Sequence, residues 1–122
     1  MKIAIVILNW NGRDMLKRFL PILQSNLIAD SVVFVADNAS SDDSLQLLNS
    51  DFPDVRVIEL DKNYGFADGY NKALQQIDAE YYLLLNSDVE VTSDWIEPML
   101  WFMEANHDVA ACQPKILSIS DR

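Results

Sequence analysis

The sequence predicts an α/β fold, a Rossmann-like three-layer sandwich built on a mainly parallel sheet. Three observations predict it. Apolar runs of strand length alternate with segments of helical spacing from the first residues onward, the order that right-handed βαβ crossovers produce. The early runs are continuously apolar, as strands are when both faces of a sheet are covered. Successive runs also stop at an amide or a carboxylate, which in a parallel sheet gathers polar groups along one edge.

The elements follow in order. Lys2-Ile3-Ala4-Ile5-Val6-Ile7-Leu8 reads as the first strand, broken by Asn11-Gly12. Leu16, Phe19, Leu20 and Leu23 then recur at helical spacing, in a helix that Pro21 should kink or shorten. Val32-Val33-Phe34-Val35-Ala36 is a second buried strand, ending at Asp37-Asn38. Ser40 with Asp43 beyond it predicts a capping box that opens a helix through Leu45, Leu47 and Leu48. Val55 to Leu60 alternates more and so belongs nearer an edge. Phe66 to Ile77 reads as a helix with Ala73, Leu74 and Ile77 as its stripe. Tyr81-Tyr82-Leu83-Leu84-Leu85 is a fourth, buried strand. A helix from about Asp94 to Glu104 follows, with Pro98 near its first turn, and Val109 to Gln113 is a fifth strand. Trp95, Trp101, Phe102 and Met103 on that last helix are expected to supply core, or else to cover a partner surface.

At 122 residues the chain is one domain. Half of it is apolar, enough to fold around a real core. Nine basic residues against nineteen acidic ones leave a net charge of −10, which opposes nucleic-acid binding and offers no basic handle to anionic lipid. The lone Cys112 excludes an internal disulfide and, within Val109-Ala110-Ala111-Cys112, reads as a small buried hydrophobe. Ile3 to Leu8 is too short for a signal-peptide core or a membrane span, so the chain reads as cytosolic.

Polar residues close each of the first four strands: Asn9 and Asn11, then Asp37 and Asn38, then Asp61 and Asn63, then Asn86 and Asp88. Any one of them is ordinary turn chemistry. Together, on one edge of a parallel sheet, they predict a binding crevice. The first strand is not followed by G-x-G-x-x-G or by a phosphate-binding loop with lysine, which disfavours a dinucleotide and removes the phosphate-loop ATPases. His107 is the only histidine, too few for a Ser-His-Asp or zinc site. What remains is acidic and amide-rich. Carboxylates accept from a base or a ribose hydroxyl, and one or two of them hold magnesium or manganese through a diphosphate.

Four segments carry a family resemblance: Val6-Ile7-Leu8-Asn9-Trp10-Asn11-Gly12, Val35-Ala36-Asp37-Asn38-Ala39-Ser40-Ser41-Asp42, Asn63-Tyr64-Gly65-Phe66-Ala67-Asp68-Gly69-Tyr70-Asn71, and Leu83-Leu84-Leu85-Asn86-Ser87-Asp88-Val89-Glu90-Val91. In this order they resemble the N-terminal, donor-binding part of family 2 glycosyltransferases, with a GT-A nucleotide-diphospho-sugar transferase fold that this chain would hold in truncated form. The resemblance implies that Leu8, Asn9 and Asn11 lie at the nucleotide base and that Asp37 hydrogen-bonds it. Asn63, Gly65 and Asn71 would lie near the donor. Asn86 and Asp88 occupy the family's D-x-D positions, and Asp88 would bind Mg2+ or Mn2+ and the diphosphate. Asn86 departs from that pattern and brings no charge, a form similar to rhamnosyltransferase-like members.

The activity so implied is inverting transfer of a sugar from a nucleotide-diphospho-sugar donor to a saccharide or lipid-linked acceptor in cell-envelope or polysaccharide synthesis. It would take place in the cytoplasm, with the inner face of the membrane as a possible station. The catalytic base is expected beyond Arg122, so residues 1–122 would be the donor half alone, inactive in transfer and prone to self-association through the face that is left bare. A nucleotidyltransferase-like enzyme and a non-catalytic interaction module of the same fold stay open. Asp37 as a plain turn residue, Gly65 and Gly69 as loop and helix-start glycines, and Trp10 as a core or domain-contact aromatic rather than a stacking platform are the structural alternatives.

Overall fold

The computed structural model describes residues 1–114 and 117. Its elements run β1 (Ile3–Asn9), α1 (Arg13–Gln24), β2 (Ser31–Asp37), α2 (Ser44–Asp51), β3 (Arg56–Glu59), α3 (Phe66–Leu74), β4 (Tyr81–Leu85) and α4 (Glu97–Ala105). All strand pairs are parallel, in the order β3-β2-β1-β4. The expected α/β sandwich is present, with β3 at an edge as its alternation predicts.

The pleat divides the core in two. Ile3, Ile5 and Ile7 of β1 face α1 and α2, meeting Leu16, Leu20 and Leu23 of the one and Leu47 and Leu48 of the other. Ile96 and Leu100 bring α4 onto the same face. Ala4 and Val6 face the opposite way, with Phe34 and Ala36 of β2, toward Tyr70 and Ala73 of α3. β1 is buried on both faces because helices cover both, which is why its sequence has no alternation.

Several expectations are corrected. Pro21 does not break α1, which continues to Gln24. α2 starts at Ser44, not at a capping box: the Ser40 hydroxyl donates to Asp37 Oδ1 instead. α3 ends at Leu74, before the expected Ile77, and α4 starts at Glu97. β4 is half exposed, with Tyr82 and Leu84 at 43% and 51%, because α3 packs mainly over β1 and β2. Trp101 and Phe102 are exposed too: Leu100 faces the core, and the next two positions rotate away from it. Trp95 packs against the core ahead of the helix, its indole N–H donating to the Asn26 carbonyl at 2.9 Å. Val109–Gln113 forms no strand and Cys112 is exposed. That run pairs with no neighbour, and its small side chains offer little area to bury.

Candidate functional site

β1 lies at the point where the connections reverse direction across the sheet. Its ladder with β2 continues to Asn9↔Asp37, whereas its ladder with β4 stops at Ile7↔Leu85. The carboxyl ends of β1 and β4 therefore part, and such a fork is where open α/β sheets take ligands. The turns that leave β1 and β2 both pass through left-handed residues, Asn11 at φ 52° and Ala39 at φ 61°. Strain of this kind collects at sites where the surroundings fix it.

A hydrogen-bond chain fixes these turns. Asn9 is fully buried and donates from Nδ2 to Asp37 Oδ1 at 3.0 Å and to Ser40 Oγ at 3.3 Å. Asp37, only 2% exposed, also accepts from the Ser40 hydroxyl at 2.6 Å and the Ser40 amide at 3.0 Å. The Asn11 amide donates to Ser40 Oγ, and Asn11 Oδ1 accepts from the amides of Ser41 and Asp42. Asn38 extends the chain to the next loop: its Oδ1 accepts from the Tyr64 amide at 2.9 Å and its Nδ2 donates to the Gly65 carbonyl at 3.0 Å. The bond to Asp37 fixes the Asn9 amide, since a carboxylate takes only the N–H end. Asn9 Oδ1 is then left buried without a partner, beside Gly12, where a Cβ would stand 2.5 Å from it.

Next to this network an open pocket of about 250 Å³ is lined by Leu8, Trp10, Asn38, Asn63, Gly65 and Phe66. Trp10 and Phe66 are 56% and 67% exposed, so the core alternative for Trp10 is overturned. Gly65 has φ 79° and ψ −169°, a conformation essentially closed to other residues, and its amide donates to Asn63 Oδ1 at 2.8 Å. Gly69 is needed for contact: a Cβ there would lie 2.9 Å from Leu8 Cδ1. Beyond the pocket, the Tyr64 hydroxyl donates to Asp61, holding that carboxyl below its usual range and raising the phenol. A separate cavity of about 200 Å³, lined by Gln24, Leu27, Val33, Val55 and Arg56 among others, contains none of these residues.

The expected site residues thus separate into groups. Leu8, Asn63 and Gly65 line the pocket. Asn9, Asn11 and Asp37 form the network beside it. Asn71 is exposed on α3 and is not in the lining. Asn86 and Asp88 are exposed in the turn after β4, closed by the Val89 amide donating to the Asn86 carbonyl. Sequence reasoning did not single out Phe66, an aromatic at the first position of a helix, or Tyr70. The Tyr70 hydroxyl donates to the Leu85 carbonyl at 3.1 Å and accepts from the Leu8 amide at 3.4 Å. Burial pushes its phenol up.

Among the described residues no three His, Cys, Asp or Glu side chains converge on a metal position. Asp88 offers one exposed hard oxygen donor. That donor set fits Mg2+ or Mn2+ where the ion's other ligands are phosphate oxygens and water, and not a closed all-protein cage.

The model of glycosyl transferase family 2 matches residues 4–121. A teichoic acid poly(glycerol phosphate) polymerase of Staphylococcus epidermidis is 26% identical over 96 residues, 75% of this chain and 13% of that protein. An uncharacterized glycosyltransferase, YfnE of Bacillus subtilis, is 28% identical over 116 residues, 92% of this chain and 29% of its own length. The chain therefore spans under a third of these curated relatives. Among solved structures, S. aureus TarS 1–349 in complex with UDP-GlcNAc aligns with a TM-score of 0.76 at 23% identity, over 88% of this chain and 32% of that one. The mannosyltransferase PcManGT from Pyrobaculum calidifontis, in complex with GDP-Man and Mn2+, aligns at 0.74 and 17% identity, over 84% of this chain and 32% of its own. These two likenesses establish a shared fold.

Proposed function

Because the chain belongs to glycosyl transferase family 2, we propose that it is the donor-binding part of an enzyme that moves a sugar from a nucleotide-diphospho-sugar to an acceptor hydroxyl. One observation carries the reading: an aromatic-rimmed pocket and an exposed carboxylate turn stand on either side of the fork between β1 and β4. In this reading a planar base stacks on Trp10 and Phe66, over Leu8, with Asn63 at its edge. Stacking of this kind is worth on the order of 1–3 kcal/mol per base. The diphosphate then extends toward Asn86 and Asp88, where Mg2+ or Mn2+ held by Asp88 would offset the charge of the leaving group.

In this reading Asn9, Asn11 and Asp37 serve the donor mainly by fixing the pocket's rim, since their polar atoms are engaged with one another and with Ser40, Ser41 and Asp42. Asn71 lies at the donor's periphery. The acceptor oxygen bonds to the anomeric carbon as the bond from that carbon to the diphosphate oxygen breaks, its electron pair leaving with the diphosphate. The acceptor proton passes to a carboxylate base, and we assign that role to no residue of this chain. A cell-envelope or polysaccharide acceptor, saccharide or lipid-linked, is supported by the teichoic acid polymerase among the relatives. We also propose a cytoplasmic place of work; no helix among the described residues is long and apolar enough to cross a membrane.

Calorimetric titration with UDP, dTDP and GDP, with and without Mn2+, tests the proposal. One of the three should bind, more tightly with the metal. Asp88→Ala should abolish the metal-dependent gain, and Trp10→Ala should weaken binding about tenfold in either condition. Absence of binding by all three, or a metal gain that persists in Asp88→Ala, would overturn it.

A further inference from the structure

At the fork, the last backbone groups that β1 and β4 turn toward each other are not joined by a ladder bond, because their pairing has ended at Ile7↔Leu85. The Tyr70 hydroxyl fills the gap. It accepts from the Leu8 amide and donates to the Leu85 carbonyl, closing the fork with a side chain where the sheet no longer closes it. The ring is 4% exposed and meets Phe66 edge-on, centroids 5.1 Å apart at 76°. A single buried tyrosine thus touches two of the pocket's lining residues, the amide of Leu8 and the ring of Phe66, and the residue from which the Asn86-Ser87-Asp88 turn departs.

We infer that Tyr70 is a positioning residue that sets the spacing between the aromatic pocket and the Asp88 turn, through the paired bonds of its hydroxyl to Leu8 and Leu85. The inference rests on the donor reading above, because spacing matters only if one ligand spans both places. A nucleoside fills the pocket alone, whereas a nucleoside diphosphate with its metal must reach both. Loss of the hydroxyl lets the strand ends drift, so it leaves the first kind of binding intact and weakens the second. A tyrosine that merely satisfied its own buried hydroxyl would have no such preference.

Tyr70→Phe keeps the ring against Phe66 and removes only the hydroxyl. Titrations of the 122-residue chain with uridine, thymidine and guanosine, and with their diphosphates plus Mn2+, give the ratio of the two affinities in wild type and variant. Nucleoside affinity should stay within about twofold while the ratio falls about tenfold; an unchanged ratio, including one in which both affinities fall together, overturns the inference. Amide hydrogen exchange decides the clasp independently of any ligand. In the wild-type chain the Leu8 amide should be protected, and in Tyr70→Phe the faster exchange should be confined to Leu8 and residues 86–89. Free exchange of the Leu8 amide in the wild type, or no local change in the variant, overturns it. A wild type that binds no nucleotide yet shows the protected, Tyr70-dependent Leu8 amide would sink the donor reading and with it the role in spacing, leaving the clasp as a purely structural bond.

Discussion

Asp37 ends β2 with a carboxylate that three donors hold in place, from Asn9 and from the hydroxyl and amide of Ser40. Bonds to a charged group are the stronger kind, and breaking them strands buried donors. Asp37→Ala should cost about 2–3 kcal/mol of folding stability, read by urea unfolding; a loss under about 0.5 kcal/mol would show that the rim does not depend on this carboxylate. The residue types at the strand ends were legible, because polar groups that terminate apolar runs must gather on one edge of a parallel sheet. Leu8, Asn63 and Gly65 duly line one pocket. Which polar groups would spend their bonds on each other was not legible, since the partners are about thirty residues apart in sequence. Tyr70 was missed although it precedes Ala73 and Ile77 at helical spacing, and so extends the stripe read there. A tyrosine on a buried stripe signals a hydroxyl in need of partners.

The N-terminal ends of α1 and α2 depend on one aspartate. Asp42 accepts from the Arg13 amide at the start of α1 and from the Ser44 amide and hydroxyl at the start of α2. Partial burial pushes its carboxyl up, but the bonds from Ser44 and Arg13 outweigh that and hold it below the usual value. A depressed carboxylate stabilises the fold fully above its unfolded value, near about pH 4, and that contribution is lost as pH falls through the lower folded value. Thermal unfolding followed between pH 7 and 2 should therefore show an acid limb that Asp42→Asn flattens; parallel limbs in the two proteins would contradict this. The helices themselves were legible from their stripes, whereas this cap was not. The spacing of Ser40 and Asp43 suggested a capping box, but the competing carboxylate of Asp37 took the Ser40 hydroxyl. The apolar run at Val109–Gln113 misled for a related reason: a strand is defined by its partner, and sequence alone does not supply one.

Across the whole molecule, apolar surface remains bare on both sides of the sheet. Tyr82 and Leu84 lie beside Ala4 and Val6 on the face that carries α3, and Trp101 and Phe102 stand out from α4 on the other. Exposed strand edges and apolar patches favour association. Sedimentation velocity of the 122-residue chain should show concentration-dependent self-association, reduced by Tyr82→Thr with Leu84→Lys; a single monomeric species at all concentrations would count against it. The order β3-β2-β1-β4 has a further consequence, in time rather than space. β1 leaves the ribosome before β4, and its register partner on that side, Leu85 for Ile7, is made 78 residues later. At synthesis rates of about 5–20 residues per second, the central strand waits several seconds or more with one flank unpaired. The nascent chain cannot form the fork between β1 and β4 until β4 emerges, so whatever guards β1 during that interval guards the proposed site before it exists.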